Sequence, residues 1–354
     1  MRQRRTTAKT KIAKTLNESS PFSQFSPVQF PESPASLLLC VFALIPVRPP
    51  TTFIGLDVGG TNIKCVAFNS KGKTLAEETV PTSDDGTKSW LNRARNVARK
   101  VLSQFPADTR VGVAAPGLPA RDGRSIATMP ERLQGLENLN WQKWLGLKRL
   151  VPVFNDGQAA LLAESWLGAA KGASNALLLT LGTGVGGAAI VDGRLLRGHI
   201  GRAGHVGHFS LNPDGPLDIV NTPGSLEDAI GEHTIHTRSN GQFRSTRELV
   251  AAYESGSKQA AEIWLRSVKA LGAALGSLIN IFDPEMVVIG GGIAEANKSL
   301  FVPLRAALDK FEWRPRGHAA KVVKAKLGHI AGAAGAAYGA LLQTQNTTVV
   351  SRSK

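Results

Sequence analysis

Cysteine is nearly missing from this chain: Cys40 and Cys65 are the two it has in 354 residues. Two thiols cannot build a disulfide framework or a cysteine-based zinc site, and a reducing, cytoplasmic setting is the expectation. Aromatic residues are sparse at 6%, beside 42% hydrophobic residues overall, a balance usual for soluble α/β proteins. No unbroken apolar run reaches about eighteen residues, so no membrane span and no membrane partner are expected. Negative charge is also short: 27 Asp and Glu face 42 Lys and Arg, a net charge of +15. That excess draws anions. It is spread along the chain, without the clustered basic stripe and interleaved aromatics of a nucleic-acid binder, so no specific nucleic-acid partner is expected. The milder consequence is attraction to phosphate-bearing small molecules.

Glycine is plentiful, with 37 residues, and it gathers in loops. Residues 53–68 read FIGLDVGGTNIKCVAF: an apolar run to Asp57, a turn at Gly59, Gly60, Thr61 and Asn62, then an alternating apolar run. The pattern is strand, tight turn, strand. Bare backbone at such a turn lets several N–H groups face one anion, such as a phosphate. Asp57 would lie beside that anion and could hold a magnesium ion, directly or through water. An ordinary hairpin with an exposed aspartate explains this stretch alone equally well. A second copy tips the balance: residues 177–191, LLLTLGTGVGGAAIV, repeat the design around Gly182, Thr183 and Gly184. Two such hairpins about one domain apart indicate an internal duplication with a phosphate loop in each half.

Between and beyond the hairpins, residues 88–105 have helical spacing, and 110–115 form a buried-type strand running into Pro116-Gly117-Leu118-Pro119. A strand over 151–154 ends in Asn155, Asp156 and Gly157, ahead of a helix over 158–167. An aspartate there is where open α/β folds place ligands; a helix N-cap is the bland alternative. Residues 284–289 predict a buried strand opening onto Gly290, Gly291 and Gly292, and residues 331–342 an alanine-glycine helix returning to the first domain. The first fifty residues carry seven Lys/Arg and two Asp/Glu, a Ser/Pro-rich stretch, and an apolar run over 37–47. They imitate a secretory signal, but the apolar core starts late and no small-residue cleavage site follows. A disordered extension, or a start codon assigned too far upstream, is the expectation for residues 1–50.

These residues resemble the ROK group of sugar kinases, within the actin and hexokinase superfamily, over about residues 53–342. DVGGTN and LGTGVGG resemble its two phosphate loops. The resemblance implies an α/β, two-lobed actin-like/hexokinase ATPase fold, ribonuclease H-like domains with an interlobe cleft. A small domain would comprise residues 51–166 with a C-terminal helix over 331–346, and a large domain 167–330. It implies ATP and Mg2+ as cofactors, a hexose substrate (glucose-like or N-acetylated) phosphorylated at a primary hydroxyl, and a homodimer. The family's NDANAA element is here NDGQAA, and the match implies Asp156 as the catalytic base, with Asn155 beside it on the sugar. Gly117 lines the sugar, and Asn138, in NLNWQKW, contacts sugar hydroxyls. Locally that element reads as well as a helix start capped by Asn140. His208 and Glu227 hold the sugar ring, and Gly291 and Gly292 lie against the adenosine of ATP.

Two departures from the pattern stand out. The family's G-E-x-G-H segment is here Gly204 to His208, so His205 replaces the sugar-binding glutamate. The family's zinc motif aligns with residues 218–227, where Asp218, Val220 and Ser225 stand in place of its cysteines. His208 with Asp218 is a poor zinc set, so no structural zinc is expected. Packing and Pro213, Pro216 and Pro223 should hold that loop instead. A polyphosphate-dependent glucokinase, or a non-catalytic sugar-binding ROK protein or regulator, are the alternatives. The regulators' N-terminal helix-turn-helix does not show in the Pro/Ser-rich start, and Asp57, Asp156 and both loops favour catalysis.

Overall fold

The computed structural model describes residues 52–129 and 132–350, with side chains to residue 343; the expectation for residues 1–50 lies outside these. The run around Asp57 forms strand β1 (Thr52–Val58), paired antiparallel with β2 (Asn62–Asn69), and β3 (Thr74–Pro81) adds to its far side. Helix α1 (Ser89–Leu102) buries Trp90, Ala94, Val97, Ala98 and Val101, the three-and-four spacing of one helical face. β4 (Arg110–Ala114) lies parallel to β1. A short ribbon, β5 (Leu118–Pro119) with β6 (Ile126–Thr128), was not legible in the sequence. α2 (Trp141–Leu145) is capped by Asn140, whose side chain accepts from the Lys143 amide. β7 (Val153–Phe154) completes a sheet of order β3-β2-β1-β4-β7. It is shorter than expected because Pro152 has no amide to give a ladder.

Helix α3 (Asp156–Leu167) leads to a second sheet built the same way: β8 (Ala176–Leu181), β9 (Val185–Val191) and β10 (Arg194–Leu195). Helices α4 (Leu226–Ile230), α5 (Ile235–Arg238), α6 (Thr246–Glu254) and α7 (Lys258–Phe282) follow. Then come β11 (Met286–Gly290), α8 (Lys298–Phe311), β12 (Lys321–Lys324) and α9 (Ala331–Val350). The sheet order is β10-β9-β8-β11-β12, with β11 parallel to both β8 and β12. Each sheet therefore has a first strand at its centre, its hairpin partners on one side and parallel strands on the other. The duplication read from two glycine turns extends to both sheets.

Period-two alternation along β1 explains where its side chains go. Ile54, Leu56 and Val58 join Trp90 and Val97 in the core under α1, whereas Phe53 packs with Ala333 and Ala337 of α9. Gly55 and Asp57 share the α9 face. A Cβ on Gly55 would overlap the Ala333 carbonyl, and one on Gly112 of β4 the Ala336 carbonyl, so these strand glycines let α9 lie directly on the sheet. In the second sheet Leu177, Leu179 and Leu181 face the core with Trp264 and Leu271 of α7, while Leu178 faces Leu161 of α3. α7 is a described helix long and apolar enough to cross a membrane, with mean hydropathy 1.2. Its buried face packs within this core, and Lys258, Glu262, Arg266 and Lys269 are exposed on the other.

Candidate active site

The end of β7 delivers Asn155 to the start of α3. The Asn155 side-chain oxygen accepts the Gln158 amide at 2.8 Å, and Gln158 Oε1 accepts the Asn155 amide at 3.3 Å, a capping box. The cap is therefore Asn155, and Asp156, first residue of the helix, is left for other work. Asp156 lines a cavity of about 350 Å³ together with Gly117, Asn155, His205, His208, Glu227 and the second glycine turn, Gly182 to Gly187. Its side chain is open to cleft water. The narrow cleft nonetheless surrounds it with protein, and that desolvation pushes its carboxyl up to about 6, against the pull of Arg132. Water in an open cleft works against the push; closure would strengthen it.

Gly182 and Thr183 also line a second cavity of about 590 Å³, with Glu232, Arg247, Glu254, Gly292, Ile293 and Glu295. Gly291 lies in the first cavity and Gly292 in the second, so the glycine run after β11 borders both. The first glycine turn lines neither. Gly59 closes it by donating to the Asn62 carbonyl at 3.0 Å, and buried Thr82 braces it, its hydroxyl donating to the Gly59 carbonyl at 2.6 Å. Asp57, just before that turn, lies against Gly332 at the start of α9. Burial, then the charge of Asp156, push its carboxyl up to about 7, with Lys64 opposing. The two aspartates thus sense each other. Asn138 is not brought to the cavity: it is exposed, has φ 56°, and its backbone amide bonds the Ile126 carbonyl at 2.8 Å. The local reading, a helix start capped by Asn140, accounts for that element.

The two histidines are held differently. Asn155, whose amide oxygen is taken by the helix cap, turns its Nδ2 to His205 Nε2 at 3.2 Å. An amide nitrogen can only donate, so Nε2 is the acceptor and the ring hydrogen sits on Nδ1. Burial, then the neighbouring His208, lower the pKa of His205 and keep it neutral. The ring thus carries its one donor on Nδ1, in a cavity-lining residue at the position where the family pattern has a carboxylate acceptor. His208 Nδ1 donates to Asp218 Oδ2 at 2.8 Å, leaving its Nε2 for the cavity.

Asp218 does more than fill the place of a cysteine. Its side chain is fully buried, and Oδ1 accepts the amides of Val220 at 2.9 Å and Thr222 at 2.8 Å. Beside the packing and the prolines expected to hold this loop, the carboxylate in the place of the first cysteine ties it together and orients His208. The signal was the D-x-V-x-T spacing, in which an aspartate bonds amides two and four residues on. Burial alone would raise the Asp218 pKa, but the bonds from His208 and the two amides outweigh it and hold it low. We expect Asp218→Ala to cost about 3 kcal/mol, since two amides lose their partner. A depressed carboxylate stabilises above its unfolded pKa and loses that as pH falls through the folded value. Urea titrations should show the gap between wild type and variant at pH 7 and its narrowing in acid; an unchanged midpoint at pH 7 would remove Asp218 from this role.

Glu227 reaches from α4 to the second turn: its Oε2 accepts the Val185 amide at 2.8 Å and lies against Gly184, where a Cβ would overlap it. His233 holds the same turn from behind, its ring and backbone nitrogens meeting the Thr183 carbonyl at 2.7 and 3.0 Å, with Asp228 on Nε2 at 2.9 Å. Nothing in the sequence distinguished His233 from a surface histidine. Among the described residues no group of three or more metal-ligating side chains gathers.

Two sheets of matching topology, each with a glycine-turn hairpin, and a carboxylate-bearing cleft define the actin-like ATPase fold class. Residues 53–343 match the ROK family, and the chain belongs to that family. It is 31% identical to a glucokinase of Thermotoga maritima over 73% of this chain and 87% of that protein. It is 28% identical to an N-acetyl-D-glucosamine kinase of Aliivibrio salmonicida over 81% and 98%. A ROK family glucokinase from Streptomyces griseus, solved with glucose and AMPPNP, superposes with TM-score 0.67 at 25% identity, covering 82% of this chain and 99% of that one.

Proposed function

We propose that the protein transfers a phosphoryl group from ATP to the primary hydroxyl of a hexose, with Asp156 as general base. The observation that carries this is the position of Asp156: first residue of α3, freed from capping by Asn155, in one cavity with the second glycine turn, His205, His208 and Glu227. Its raised carboxyl suits a base, which works best with a pKa near the operating pH. The sugar would occupy the smaller cavity against Gly117, Asn155, His208 and Glu227. The adenosine would occupy the larger one beside Gly292, and the phosphates would pass over Gly182 to Gly184. The turn at Gly59 to Asn62 would close on the phosphate chain from the other side. In this reading residues 51–166 with 331–346 form one lobe and 167–330 the other, in a cytoplasmic homodimer.

Asp57 fits a hard cation: its carboxyl is held up to about 7 by burial and by Asp156, and no hydrogen bond to it is found among the described residues. Magnesium held there, directly or through water, would neutralise charge on the phosphates. The protein's own part is positioning. As the sugar oxygen bonds the terminal phosphorus, the bond from that phosphorus to its bridging oxygen breaks, and the hydroxyl proton passes to Asp156.

His205 points to the sugar. The Nδ1–H left by Asn155 donates where the family's glutamate accepts, which suits a substituent with an oxygen acceptor, such as an acetamido group. ADP release with Mg2+-ATP across hexoses and their N-acetylated forms tests the reading. We expect turnover with at least one, and His205→Glu to move the ranking toward unsubstituted glucose. No turnover with any member would end the proposal; turnover with an unmoved ranking would remove His205 from specificity.

A further inference from the structure

Arg132, between β6 and α2, is outside the residues that the family pattern singles out. Its guanidinium rests on Gly60 of the β1–β2 turn: a Cβ on Gly60 would lie 2.6 Å from Nη2 and 3.3 Å from Nη1. On its other edge, Nε faces Asp84 Oδ2 at 3.6 Å, and the same oxygen accepts the Leu133 amide at 3.1 Å. Asp84 is a fixed strut, its side chain 13% exposed, while the Arg132 side chain is 50% exposed. The Nη edge meets no acceptor among the described residues. Its charge nevertheless reaches Asp156, whose carboxyl it pulls down.

A half-exposed ion pair adds little stability, so the pairing with Asp84 does not itself explain a cation parked on a glycine turn. A guanidinium edge with two nitrogens fits two phosphate oxygens. The glycine matters here because a side chain at position 60 would displace the guanidinium from the turn. The arrangement sets a cation against bare backbone amides, near enough to Asp156 for its charge to act on that carboxyl.

We propose that Arg132 is a catalytic residue of the phosphoryl transfer, its Nη edge donating to the transferring phosphoryl group above the Gly59–Gly60 turn, with Asp84 as its positioning residue. This rests on the kinase reading above. While the sugar oxygen bonds phosphorus and the bond to the bridging oxygen breaks, negative charge spreads over the phosphoryl oxygens and onto the leaving ADP. The proton goes to Asp156, and Arg132 keeps its own protons, stabilising that charge throughout.

The test uses the full chain and its Arg132→Ala, Arg132→Lys and Asp84→Asn variants. Turnover is measured with Mg2+-ATP and the best hexose; hexose affinity and binding of ADP with and without aluminium fluoride are measured by calorimetry. We expect Arg132→Ala to lower kcat about 10²-fold, the usual effect of one lost transition-state donor. Hexose affinity should stay within about 2-fold, and the tightening that aluminium fluoride gives to ADP should be lost. Arg132→Lys should regain part of kcat, and Asp84→Asn should fall between. An Arg132→Ala enzyme that keeps its kcat, or loses ADP and ADP–aluminium fluoride affinity equally, overturns the inference while leaving the kinase reading intact. A wild-type chain that phosphorylates no hexose overturns the reading beneath it.

Discussion

Asp156→Asn should lower kcat by ~10²–10⁴-fold or more, the contribution of a positioned base, while leaving hexose binding and the fold in place. Asparagine keeps the size of the side chain, and the α3 cap is untouched because Asn155 and Gln158 supply it. The wild-type pH profile should carry the same signature. Desolvation by the cleft walls pushes Asp156 up to about 6, so on the proposed mechanism kcat/KM should rise with pH through that region as Asp156 loses its proton. Stability runs the opposite way. A carboxylate whose folded pKa is raised contributes most below its unfolded pKa near 4, and the contribution is lost as pH rises through the folded value. Asp156→Asn should therefore melt no lower than wild type at pH 5 and higher at pH 8. Scanning calorimetry beside steady-state kinetics reads both. Unchanged kcat would take Asp156 out of the chemistry; lost hexose affinity with reduced kcat would make it a binding group instead.

Gly335→Val should be the most damaging single change to the fold. α9 crosses α3 with no side chain between them at this point, and a Cβ on Gly335 would overlap the Ala159 carbonyl oxygen and its carbon. Backbone cannot rotate aside as a side chain can, so two core helices must separate. We expect a loss of at least ~3 kcal/mol, a fall in Tm of roughly 6–12 °C, or an insoluble protein. Gly339→Ala is the comparison. Its Cβ would meet the ring edge of Phe154, the end of a side chain that can shift, and the fall should be clearly smaller. Equal melting of both variants would show that α9 is free to move off α3.

Much of this was legible because it is local. Turn glycines, the apolar runs of β1 and β8, and the Asp156 position at a strand end are written in adjacent residues, and the family resemblance gave them an order. What was not legible depends on distant partners. Asp218 reads as a lost cysteine until His208 is seen on its Oδ2. Arg132 reads as one more basic residue until Gly60 is seen beneath it. Asn138 shows the reverse: a motif position that takes up a left-handed turn ahead of the Asn140 cap and is not among the residues lining the cavity.

Glu227, which lines the cavity, accepts the Val185 amide with one carboxylate oxygen, and its other oxygen takes no hydrogen bond among the described residues. A sugar that draws on the second oxygen would thereby steady the bend over which the nucleotide's phosphates are proposed to pass. Linkage requires the converse as well: each substrate should find the protein better prepared when the other is already aboard.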